Sequence, residues 1–215
     1  MKPMTIVCIS DTHELHRELD VPNGDILIHA GDFTMFSKSA SAILDFNEWL
    51  GGLPHRWKIL VPGNHEFFLE SDPSRRRLIS NATVLINEGI EVAGLNIWGS
   101  PVTPLYGGAF GLSSPTDRVK LYAKIPDGLD ILVTHGPPYG ILDRSPVALH
   151  HAGCPQLLEA VTRLKPKLHV FGHIHGAHGM VSTEDTLYVN AALLGPSGDL
   201  SASPVVLRIP EFDVR

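Results

Sequence analysis

The chain has only two cysteines, Cys8 and Cys154, in 215 residues, and neither lies in a Cys-x-x-Cys spacing. That argues against a disulfide framework and a thiolate zinc site, and makes a reducing compartment, the cytoplasm, the expected setting. No apolar run is long enough to span a bilayer, and Met1-Lys2-Pro3-Met4 leads into a strand pattern without a signal-peptide core. A membrane is therefore not an expected partner. No Lys or Arg run offers a stripe that could track a phosphate backbone. With 17 basic against 23 acidic residues the formal charge is -6, so nucleic-acid backbone is not an expected partner either. Repeats at solenoid periods and low-complexity linkers are also missing. What remains is one globular domain over residues 1–215, long enough to bury a sizeable core.

The polar residues that are present fall in a pattern. Apolar residues make up 43% of the chain, and there are 12 histidines. Thr5-Ile6-Val7-Cys8-Ile9 is a continuous apolar run of the kind found in strands buried on both faces, with Cys8 as a buried thiol. It ends in Ser10-Asp11-Thr12-His13. Asp25-Ile26-Leu27-Ile28-His29-Ala30 ends in Gly31-Asp32-Phe33-Thr34. Residues 57–61 end, after Pro62, in Gly63-Asn64-His65-Glu66. Residues 130–134 end in His135-Gly136-Pro137-Pro138, and residues 167–171 in Gly172-His173-Ile174-His175-Gly176. A strand needs none of these polar groups at its end. Open α/β sheets bind ligands at the carboxyl ends of their strands, so all five ends are expected to open on one site.

Between these blocks, residues 39–50 read as an amphipathic helix. Ile43, Leu44, Phe46 and Leu50 lie on one face, and Gly51-Gly52 is the stop. Arg75-Arg76-Arg77 falls on a short helix. Residues 83–86, 91–93 and 96–98 read as antiparallel hairpins, and residues 100–111 as an ordered loop. Ser114-Pro115 reads as an N-cap with proline at the first helical position. Residues 154–164 read as helical, and three closing strands follow the strand at 167–171. His29 and His169 are placed within strands as satisfied groups. His16, His55, His150 and His151 are placed on the surface.

Asp11, His13, Asp32, Asn64, His135, His173 and His175 offer mixed oxygen and nitrogen ligands. Such donors suit manganese, iron, zinc or similar divalent ions. The set is too large for one tetrahedral zinc and suits two ions sharing a carboxylate. Two ions roughly 3.5–4 Å apart form a clamp for phosphoester hydrolysis, in which a bridging water becomes the nucleophile. Taken singly, an Asp-x-His or a Gly-Asp at a strand end is only a turn. The case rests on five blocks in order.

The series Asp11-x-His13, Gly31-Asp32, Gly63-Asn64-His65-Glu66, His135 and Gly172-His173-x-His175 resembles the calcineurin-like metallophosphoesterase superfamily over about residues 5–190. The stretches Gly24–Thr34, Phe46–Leu50, Thr134–Pro138 and His169–His175 are similar to fetal-brain-type metallophosphoesterase-domain proteins, relatives of the class III cyclic-nucleotide phosphodiesterases. The resemblance implies an α/β fold with mixed sheets, a four-layer αββα sandwich. It implies that Asp11, His13, Asp32 and His175 bind one metal, and that Asn64, His135 and His173 complete a second, with Asp32 bridging. Manganese is the first candidate; iron, zinc, cobalt and magnesium are the others. His65 would not be a ligand. It would act on the leaving group, as acid or as transition-state stabiliser, with Glu66 behind it.

This chain departs from the superfamily's protein phosphatases. No Asp-Arg pair follows Gly31-Asp32, and fixed phosphate-binding arginines are absent. That favours a small, monoanionic phosphodiester as substrate, because it needs less neutralisation than a dianionic monoester. A small-molecule phosphomonoesterase and a non-catalytic metal-binding scaffold are the rival readings. Asn64 and His65 would contact substrate. Phe33 and Tyr106 are candidates to pack against an organic group, as are Phe36 and Phe110, with core packing the alternative for the two residues nearest the strands. Arg144 is a phosphate-contact candidate or a surface residue. The oligomeric state is left open, with a homodimer as one option.

Overall fold

The computed structural model describes residues 4–36, 39–104, 107–144 and 150–209. The strands are β1 (Met4–Ile9), β2 (Ile26–His29), β3 (Trp57–Leu60), β4 (Thr83–Val84), β5 (Glu88–Val92), β6 (Leu95–Ser100), β7 (Ile131–Thr134), β8 (Leu168–Phe171), β9 (Gly179–Ser182), β10 (Leu187–Asn190) and β11 (Val205–Ile209). The helices are α1 (Ala40–Gly52), α2 (Phe67–Glu70), α3 (Pro115–Tyr122) and α4 (Pro155–Leu164). They assemble into two mixed sheets, ordered β11-β1-β2-β3-β4 and β5-β6-β7-β8-β10-β9.

Strand alternation builds the layers. Successive side chains leave a strand on opposite faces. Ile6 and Cys8 of β1, with Ile26, Ile28 and Ile59, meet Ile97, Ile131, Val133, Leu168 and Val170 of the other sheet in a shared central core. Val7, Ile9, Leu27 and Leu60 face the other way and pack under Ile43, Phe46 and Leu50 of α1. Leu132, Phe171 and Tyr188 of the second sheet pack under Leu157 and Val161 of α4 and Tyr122 of α3. The result is the expected four-layer αββα sandwich. Each of these aliphatic side chains, fully removed from water, contributes about 1.5–3 kcal/mol relative to exposure. Cys8 and Cys154 are both buried free thiols.

Local chemistry sets the helix ends. Ser114 Oγ accepts the Asp117 N–H at 3.2 Å, with proline at the start of α3, as its N-cap reading required. In α1, Gly51 and Gly52 lie inside the last turn rather than ending the helix before it. Leu44, expected on the buried face, is 49% exposed, while Ile43, Phe46 and Leu50 are buried. β4 is a second correction. It does not join a hairpin with its neighbours in sequence; it pairs parallel with β3, through Ile59 with Thr83 and Leu60 with Val84. Of the three segments, the two that became β5 and β6 form the antiparallel hairpin. Among the described residues, no helix is long and apolar enough to cross a membrane.

The topology brings the polar strand ends together. β1, β2 and β3 run parallel in one sheet, and β7 and β8 run parallel in the other. Across the seam between sheets, His135 Nδ1 lies 2.9 Å from the Ala30 carbonyl; within the second sheet, Gly172 N–H donates to His135 O at 2.9 Å and ties the ends of β7 and β8 together.

The packing assignments predict a contrast within α1. Phe46 contacts the rings of His16, His29, Phe33 and Trp49, so Phe46→Ala is expected to cost about 3–5 kcal/mol. Leu44→Ser should stay within about 0.5 kcal/mol of wild type. Urea unfolding measures both, and equal costs would contradict the assigned helix face.

Candidate metal centre

The loops that carry the ligand-type residues are held in unusual backbone conformations. Asp11, His13, Asp32 and His173 all have positive φ, at 54°, 39°, 55° and 69°. Residues with a Cβ adopt this region at a cost of order 1 kcal/mol each and keep it only where surroundings enforce it. Here the enforcement is a ladder between the first two loops. Asp11 N–H donates to Gly31 O at 2.9 Å, His13 N–H to Asp32 O at 3.0 Å, and Glu14 N–H to Phe33 O at 3.0 Å. Close approach is also required. A Cβ on Gly63 would meet Asp32 and His135, and one on Gly172 would meet Ser10 and Asp11.

Ligand-type atoms gather in three overlapping groups, each with its atoms within 4.8 Å of one another: Asp11, His13 and His175; His13, Asp32 and His65; and Asp32, His135 and His173. Asp32 is shared by two of them. Its Oδ2 lies 3.3 Å from His135 Nε2, 3.7 Å from His65 Nε2 and 3.8 Å from His13 Nε2. Asp11 Oδ1 lies 3.4 Å from His175 Nε2, and the Asp11 carboxylate also accepts the His173 N–H. Asn64 Oδ1 is 2.8 Å from His135 Nε2. All seven expected ligands therefore border one region, with His65 beside them.

Hydrogen bonds on the far side of the rings test whether this set fits cations. His135 Nδ1 faces the Ala30 carbonyl at 2.9 Å, and His13 Nδ1 faces the Thr34 carbonyl at 3.0 Å. A carbonyl only accepts, so each Nδ1 carries a proton, and in the neutral ring each Nε2 is left with a lone pair. The His135 lone pair then points at two further acceptors, Asn64 Oδ1 and Asp32 Oδ2. The His13 lone pair points at His175 Nε2, 3.3 Å away. Such a convergence of acceptors calls for positive charge between them, a proton or a metal ion. Hard oxygens with imidazoles fit a divalent transition ion.

The electrostatics agree. Burial would raise the Asp32 carboxyl, but His135, His65 and His13 outweigh it and hold the group well below the carboxylate range. Asp11 is likewise lowered, its burial outweighed chiefly by His175 and His135. Burial opposes charge on His135, yet Asp32 and Asp11 push it up to about 9. Burial brings His65 and His173 down to about 4.

Glu66 takes a different place from the one expected. Its buried carboxylate does not support His65. It accepts N–H bonds from Asp32 and Thr34, both at 3.0 Å, from Gly63, and from the Thr34 hydroxyl at 3.0 Å. It thus holds the loop after β2 to the loop after β3. Burial, with the charge of Asp32 behind it, pushes Glu66 up to about 7. His65 instead donates its backbone N–H to Asp32 Oδ1 at 2.9 Å, and among the described residues its buried Nδ1 has no partner.

Other expectations change as well. Phe33 does not face a ligand: it is fully buried and stacked on Phe46 at 4.4 Å. Tyr106 lies outside the described residues. Phe110 packs against the α1 core, whereas Phe36 stacks on His65. His16 and His55, expected at the surface, are buried, bonded to Asp45 at 2.9 Å and to Pro22 O at 3.0 Å. His29 and His169 are satisfied on one side by Thr12 at 3.1 Å and Thr134 at 2.8 Å. Arg144 is turned to His151, which in turn bonds Asp143. Thr34 was not singled out as a site residue; its carbonyl orients His13, and a threonine in a turn carries no signal of that kind.

A model of calcineurin-like phosphoesterases matches residues 4–177. Human metallophosphoesterase domain-containing protein 1 is 38% identical over 95% of this chain and 70% of its own length. A solved crystal structure superposes with a TM-score of 0.71 at 17% identity, covering 99% of this chain and 98% of that one. TT1561 of Thermus thermophilus gives 0.59 at 14% identity, covering 87% and 88%. The two structures speak for the fold alone. With the family model and the human relative both running across the strands that carry the cluster, this chain belongs to the calcineurin-like phosphoesterase family.

Proposed function

We propose that the chain is a metal-dependent phosphodiesterase of small substrates such as cyclic nucleotides or 2′,3′-cyclic phosphates. The observation that carries the reading is Asp32, shared by two ligand groups with His65 beside it, in a cleft with no Lys or Arg among its described lining residues. The described lining is Asp32, Asn64, His65, His173, Ile174, His175 and Pro196. Among these described residues a dianionic monoester would find no guanidinium or ammonium, which supports a monoanionic diester. Asp11, His13, Asp32 and His175 would hold one divalent ion, manganese first among the candidates, and Asp32, Asn64, His135 and His173 a second; bound there, the ions supply Lewis-acid stabilisation and acidify water. Both cysteines are unpaired thiols, which supports a reducing, cytoplasmic setting.

The chain's own residues then divide the work. Asp32 and Asp11 supply the negative charge that fixes the cations. The carbonyls of Ala30 and Thr34 keep His135 and His13 in the tautomer that presents Nε2. His65, with its proton affinity reduced by burial, is neutral at pH 7. It serves the departing oxygen through an N–H hydrogen bond rather than by delivering a full proton. Glu66 keeps Asp32 and His65 in register.

Three outcomes test this division. Asp32→Ala should lose activity together with most bound metal, measured by elemental analysis of the purified protein. His65→Ala should keep its metal and slow an alkoxide-releasing diester by about 10²-fold or more, but a nitrophenyl diester far less; equal losses on both would remove the leaving-group role. Glu66→Gln places an amide N–H₂ among backbone N–H donors. It should cost about 1–3 kcal/mol in urea unfolding and weaken metal binding about 10–100-fold. Wild-type stability and affinity in that variant would contradict the cradle.

A further inference from the structure

One aromatic at the mouth of the cleft is not used by the chemistry above. Phe36 lies flat on His65, with ring centroids 3.6 Å apart and planes 24° apart. Beyond it stands Phe67, 6.3 Å away and tilted by 34°. Three rings thus form a row that begins at the imidazole assigned to the leaving group. Phe36 is nevertheless 52% exposed, and so is Met35 beside it. Large apolar side chains left in water at a site's rim mark a place where something apolar binds.

The backbone adds a second observation. Phe36 has φ 52°, a left-handed conformation that glycine or asparagine adopts more readily. The loop before it is tied down. Met35 N–H donates to Glu14 Oε1 at 2.9 Å, and Thr34 is bonded to Glu66 at 3.0 Å through both its N–H and its hydroxyl. A bulky aromatic is therefore held in an unfavourable backbone state while half of its surface faces solvent. Core packing does not account for that, since Phe33, three residues earlier, is the ring that fills the core. The cleft lined by His65, on which Phe36 stacks, has a volume of about 290 Å³ and apolar walls at Ile174 and Pro196.

We infer that Phe36 is a specificity residue: it forms a ledge that takes a planar aromatic substituent of the substrate, such as a nucleobase or an aryl group, next to His65. This rests on the reading of the cleft as a phosphoester site. It deepens that reading by naming the residue that takes the flat ring and by placing that ring next to His65. Ring faces and edges attract one another beyond area burial alone, and Phe36, stacked on His65 on one side, keeps about half of its surface open to such a contact.

The test uses phosphinates, monoanions with carbon–phosphorus bonds in place of the ester bonds. Methyl(phenyl)phosphinate and dimethylphosphinate differ by one ring. Calorimetric titration into the manganese-loaded protein is expected to show the phenyl compound binding about two- to tenfold tighter. Phe36→Ala should reduce that ratio to below about twofold and leave dimethylphosphinate affinity unchanged. Phe36→Tyr should restore the ratio, and Phe36→Leu should fall between. Equal affinities in the wild type, or a ratio unchanged in Phe36→Ala, would overturn the ledge. Because the measurement does not need turnover, the two readings separate. A ring preference without hydrolysis of any ester would remove the esterase and leave the ledge; hydrolysis without a ring preference would do the reverse. Failure of both phosphinates to bind would remove both.

Discussion

Three carboxylates buried side by side are the constraint on which this structure depends. Asp11, Asp32 and Glu66 are each almost fully withdrawn from water. Among the described residues, the ion pairs of Asp11 and Asp32 are all with imidazoles. Like charges in a low-dielectric interior repel strongly. Their arrangement is tolerable because everything around them is organised to receive positive charge. Backbone N–H groups surround Glu66, rings surround Asp32, and far-side carbonyls turn two of those rings so that lone pairs point inward. A site built this way is an electrostatic mould for cations.

The sandwich supplies the rigidity that such a mould needs. Ligands come from loops, yet each loop is short and leaves a strand buried on both faces. The strained φ values at Asp11, Asp32 and His173 survive because the loops bond to one another and because Gly63 and Gly172 let neighbouring backbones approach. Precision at the site thus derives from packing several residues away.

Much of this could be read in the residues themselves. Continuous β-branched runs ending in polar clusters identified the parallel strands and their shared edge, and the Asp-x-His and His-x-His spacings identified the cluster. What could not be read depended on which face meets which. Leu44 and Phe46 are both apolar and sit on the same helix, and only the position of β1 and β2 beneath it decides which is buried. Phe33 and Phe36 follow the same aspartate, and the chain reversal between them sends one to the core and the other to the rim. Glu66 follows His65 in sequence, which suggested a partnership. In space its side chain turns back toward the preceding strand's loop. The parallel pairing of β4 with β3 was hidden because two residues of strand carry no periodicity.

The hydrogen bond from His135 to Ala30 joins one sheet to the other at the place where acceptors crowd together. Cations seated at that junction would act as rivets between the two halves of the sandwich. Any species that binds the folded chain and not the unfolded one raises its stability by mass action. A chelator would then behave as a mild denaturant, prising the halves apart at one rim while the central core still holds, and the melting temperature would become a gauge of how much metal the surroundings provide.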